Sequence, residues 1–122
     1  MPARQEVSSF VRSTFRSVWA LELLCFLRRN GERAWSRHEL VRALRGSELV
    51  VAQSVESLLA AGLVVNEAED LVRYQPVSEA VDRLAAAAEA LYAQRPDAVR
   101  RMIVAPPSAA SSFADAFKLW RD

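Results

Sequence analysis

Apolar residues recur along this chain at two periods, and each change of period marks an element. Phe15, Val18, Trp19, Leu23, Phe26 and Leu27 fall three or four apart, which predicts an amphipathic helix over 15–30. Leu21, Leu24 and Cys25 widen its apolar arc, so this helix buries more than one side. Asn30-Gly31 supplies a stop that tolerates positive φ. Upstream, 7–12 reads as a short extra helix that brings Phe10 and Val11 to the same core.

The next two helices are predicted by their ends. Ser36 followed by Glu39 forms a capping box, and Trp35 before the cap with Leu40 inside it matches a hydrophobic staple. Leu40, Val41 and Leu44 face inward, and Gly46 ends the helix. Ser47 caps the next helix at once, on which Val51, Val55, Leu58 and Gly62 share a face. Two short helices joined so tightly predict a helix-turn-helix. The period then changes. Leu63-Val64-Val65 and Leu71-Val72-Arg73-Tyr74 predict a hairpin across the polar turn 66–70, ended by Pro76.

Helical spacing returns beyond Pro76. Ser78 caps a helix on which Val77, Val81, Leu84, Ala88 and Leu91 form a short heptad seam. The seam packs on the protein's own first helix or dimerises the chain. Pro96-Asp97 restarts a helix with Val99, Met102 and Ile103 as its apolar contacts. Residues 105–112 read as a linker. Beyond it Phe113, Phe117 and Trp120 fall on one stripe of a short terminal helix. That stripe has the form of a helix-in-groove ligand for a protein partner, or it folds back on this chain's own surface or its twin's. The expected divisions are 1–76, 77–104 and 105–122.

Residues 15–76 resemble a bacterial winged helix-turn-helix domain of the small transcriptional-regulator type. The resemblance rests on Ser36-Arg37-His38-Glu39-Leu40, on Val51, Val55 and Leu58, and on the run Leu59-Ala60-Ala61-Gly62-Leu63-Val64. It implies a mostly α fold with a small β-hairpin, here extended by C-terminal helices. It also implies double-stranded DNA as a partner, with the second helix on the phosphate backbone and the third in the major groove. Carried over, Arg37, His38, Arg42 and Arg45 are the backbone candidates. Gln53 is the candidate reader of adenine, and Leu49 can touch a thymine methyl.

Charge changes this picture. Residues 46–72 contain no lysine or arginine, yet carry Glu48, Glu56, Glu67, Glu69 and Asp70. A carboxylate held near a phosphate costs roughly 1 kcal/mol even in water. Most non-specific DNA affinity comes from cations that release counterions. The net charge is only +1. One route to the backbone is left: His38, Arg42 and Arg45, with Arg28, Arg29 and Arg33 just before them. The alternative is a solvated face, ion-paired to Glu32, Glu39 or an acidic partner. A second functional expectation follows, a winged helix kept as a protein-interaction adaptor. Leu49, Val50, the acidic hairpin and the Phe113-Phe117-Trp120 stripe would then meet a protein.

Enzymatic chemistry finds little footing. Cys25 and His38 are the single cysteine and histidine, so one chain offers neither a disulfide nor a structural zinc set. Cys25 lies among apolar neighbours as a core thiol. The three glycines, Gly31, Gly46 and Gly62, make no phosphate loop. No cofactor and no metal are expected. No signal core or membrane-spanning run is evident, so a cytoplasmic location is the expectation.

Overall fold

A computed structural model describes residues 2–104; the expected linker and the Phe113-Phe117-Trp120 stripe lie outside the described residues. The order is α1 (Arg4–Thr14), α2 (Val18–Arg29), β1 (Trp35–Ser36), α3 (Arg37–Leu44), α4 (Glu48–Ala60), β2 (Val64–Ala68), β3 (Leu71–Tyr74), α5 (Glu79–Gln94) and α6 (Pro96–Val104). The fold is mostly α with a small antiparallel sheet. From α2 to β3 the chain runs as three helices, α3 and α4 joined by a short turn, followed by a hairpin, with α5 and α6 beyond it.

Helix α2 is central and touches α3, α4, α5, α6 and β3. Its Leu21, Leu23, Leu24 and Leu27 are fully buried, which is what an apolar arc wider than one face requires. Leu40 of α3, Val55 and Leu58 of α4, and Val72 of β3 close the core from the other side. Helices α5 and α6 pack on α1, where Ala85 and Ala88 allow close approach and Val99 and Ile103 are buried.

Several boundaries differ from the sequence expectation. The N-terminal helix is longer than the 7–12 expected, because Glu6 accepts from the Ala3 backbone N–H at 2.9 Å and closes a first turn. Phe15 does not begin α2; it caps α1 in an extended conformation, and Ser17 caps α2. Asn30 keeps φ at −121°, and Gly31 is not in the left-handed region. Helix α3 ends on Arg45 at φ 57°, not on Gly46, so a branched cation occupies the left-handed position usually left to glycine. Val77 stands 74% exposed ahead of α5 and takes no part in the seam.

The sheet has three strands in the order β1-β3-β2, one more than the hairpin expected. Two residues suffice for β1, because Trp35 pairs with Val72 and Ser36 with Leu71. Strand β2 reaches Ala68 through a bulge at 66–68, so the turn is confined to Glu69 and Asp70. Gly62, at φ 74°, turns α4 into β2, and its carbonyl accepts the Val77 N–H at 2.8 Å.

Candidate functional site

The outer side of α3, α4 and the hairpin is set by local bonds first. Ser36 Oγ accepts the Glu39 N–H at 3.1 Å, and Glu39 returns the bond to the Ser36 N–H at 2.9 Å. Arg33 Nη2 donates to the same carboxylate at 2.9 Å, while its guanidinium lies 3.5 Å from the centre of the Trp35 ring. The Arg33 bond, helped by the Ser36 N–H, holds the Glu39 carboxyl down at about 2. Ser47 Oγ accepts the Val50 N–H at 3.1 Å and starts α4.

The cations divide into two groups. Arg33 is engaged as described. Arg28 and Arg29 both reach Glu89 on α5, Arg29 at 3.5 Å, and Arg28 Nε also donates to Tyr74 Oη at 3.4 Å. Each of these three is engaged by a carboxylate, Arg28 partly buried and Arg29 with most of its side chain still exposed. Arg37 is likewise drawn away: it pairs with Asp70 at the hairpin tip at 3.4 Å, its side chain only one-third exposed. His38, Arg42 and Arg45 stay exposed on α3 and its cap, with no ion pair among the described residues.

Helix α4 buries Val51, Ser54, Val55 and Leu58. That orientation turns Gln53, Glu56, Ala60 and Leu49 outward, and Leu49 is 66% exposed. Val50 is half-buried. On the hairpin, Glu67 accepts from Arg73 at 3.0 Å across the two strands. On this face Arg42 and Arg45 are left as arginines without an ion pair, against Glu48 and Glu69 as carboxylates without one, while Glu56 lies on the side of α4 toward α1 and α5. The available charge on this face is therefore not positive.

Sequence reasoning missed Arg73 and the seam behind the sheet. Arg73 donates to the backbone carbonyls of Gly31 at 3.4 Å and Glu32 at 3.1 Å, latching the hairpin to the loop after α2. Tyr74 Oη donates to Asp82 at 2.6 Å, and Tyr92 Oη donates to Glu22. Burial, then the bond to Asp82, pushes the Tyr74 hydroxyl up to about 12. These partners lie up to 70 residues apart, so no local pattern could have joined them. A groove also opens between the end of α1, the α1–α2 link, α4 and α5.

Burial, then Glu89, pushes the Cys25 thiol up to about 12, so it stays protonated and poorly nucleophilic. Among the described residues no group of three histidine, cysteine or acidic side chains is placed to hold a metal, and no helix is long and apolar enough to cross a membrane. A scan against protein-family models gives no match, and searches of curated proteins and of solved structures give none either.

Proposed function

We propose that this chain is a non-enzymatic regulatory protein of the winged helix-turn-helix type whose α3–α4–hairpin face docks a protein rather than reading DNA. One observation carries the reading: Arg33, Arg37 and Arg73 around that face are paired with carboxylates, and its unpaired Arg42 and Arg45 are matched in number by its unpaired Glu48 and Glu69. Exposed Leu49, with Val50 behind it, supplies the apolar centre that a protein contact needs and that phosphates do not reward. Phe113, Phe117 and Trp120, which lie outside the described residues, are a second candidate contact with a partner protein.

A second reading is favoured by one observation of its own. His38, Arg42 and Arg45 are exposed on α3, the helix that crosses the backbone in DNA-binding helix-turn-helix proteins. In that reading this stripe holds phosphates, and Gln53 is the base reader.

Electrophoretic shift of duplex across a salt series separates the two. The adaptor retains no duplex even at low salt. Backbone contact through two arginines gives a log–log salt slope of about −2 that R42E and R45E abolish. Once a partner is purified, L49D weakens its capture while R42Q/R45Q leaves it unchanged. A duplex shift that survives in L49D and is lost in R42E/R45E overturns the adaptor.

A further inference from the structure

The groove beside α4 is built from both chemistries a small-molecule site requires. Its volume is ≈ 820 Å³, within the range of ligand pockets. Phe10 of α1 and Val81 and Leu84 of α5 give it an apolar wall. Arg16 on the α1–α2 link and Glu56 on α4 line it with opposite charges.

Neither charge forms an ion pair with any described residue. The contrast with the neighbouring hydroxyls is informative. Ser13, Ser54 and Ser57 donate to backbone carbonyls of their own helices, and Ser17 accepts the Ala20 N–H as a helix cap. They are committed to local structure. The side chains of Thr14, Arg16, Gln53 and Glu56 have no described protein partner and are left for solvent or a ligand.

We propose that this groove binds a zwitterion with an apolar body, an amino acid or a short apolar peptide. Arg16 takes the carboxylate, where a guanidinium can donate two parallel bonds. Glu56 takes the ammonium, with the Gln53 amide beside it. Phe10, Val81 and Leu84 cover the apolar side chain. A simple anion is disfavoured by Glu56 and a simple cation by Arg16, so both charges in one molecule fit where either alone does not. The groove shares Gln53 with the outward side of α4, and direct titration reads its ligand whatever the α3–α4–hairpin face docks.

The probes are L-phenylalanine, L-leucine and the dipeptide Leu-Leu, with N-acetyl-L-phenylalanine amide as the uncharged control. Isothermal titration and backbone amide shifts over 53–61 are recorded on the full chain. At least one zwitterion titrates, the uncharged control does not, and R16Q and E56Q each weaken binding about tenfold or more. Saturation by an amino acid selects the monomeric ligand; preference for Leu-Leu selects the peptide. Both substituted side chains are exposed, so the variants keep the wild-type melting temperature. R42Q, outside the groove, binds as wild type. Silence from all three zwitterions at millimolar concentration overturns the assignment. So does binding that either charge variant leaves intact, or that the uncharged control reproduces.

Discussion

The seam behind the sheet and the outer face of α3 and α4 draw on the same kinds of side chain and put them to opposite use. In the seam, Arg28, Arg29 and Glu89 join α2 to α5, and Tyr74 with Asp82 joins β3 to the start of α5. Arg28 and Glu89 are each about one-fifth exposed, so their charges are partly desolvated and must find each other. On the outer face, Arg42 and Arg45 stand in water with no ion pair. A count of arginines treats the two regions alike. What separates them is burial, since water satisfies a charge on the surface and only a partner does so inside.

Both regions hang from one core, and the hardest test of the comparison is to remove that core. Leu58 is fully buried on α4, so L58A costs about 3 kcal/mol in urea unfolding and melts seam and face together. Two separate transitions would break the picture of a shared core.

The next test sets the regions against each other. Glu89→Gln leaves Arg28 half-buried without its carboxylate and costs about 1–3 kcal/mol. Arg42→Gln combined with Arg45→Gln stays within about 0.5 kcal/mol of wild type, because neither cation has a partner to lose. Equal losses from the two substitutions would erase the distinction.

Arg45 sharpens it further, since this cation occupies a left-handed cap. Arg45→Gly relieves that backbone and stabilises the fold by about 1 kcal/mol. The same change lowers any retention of duplex. Only in the second reading, where Arg45 holds phosphate, do stability and duplex binding then move in opposite directions. A loss of stability would assign Arg45 a structural contact instead.

The smallest effect is read in acid. The folded Glu39 carboxyl sits at about 2, below its usual 4.5, so its contribution is present above 4.5 and is lost as pH falls from there through about 2. In R33Q the acid limb of the stability curve shifts upward, because the first cause of the depression is gone. An unchanged limb would leave the Ser36 N–H as the sole cause.

Much of the fold is written locally. The Ser36–Glu39 box, the Ser47 and Ser78 caps and the Gly62 turn depend on residues three or four apart, and each is present. Strand β1 escaped notice because two residues carry no period; Trp35 and Ser36 become a strand only by pairing with β3. The candidate site was less legible. Sequence placed His38, Arg42 and Arg45 outward, but it could not show Arg28 and Arg29 consumed by Glu89, which follows about 60 residues later.

By itself the sequence determined the run of capped helices, the hairpin and the poverty of cations along α4, because periodicity, capping and composition act over a few residues. Only the tertiary structure decided which charges are available. It tied Arg37 to Asp70, Arg33 to Glu39 and Arg73 to Glu67, and it set Arg16 and Glu56 along one groove without pairing them. The physical reason is that an ion pair falls off with distance in space and depends on burial, neither of which sequence separation records.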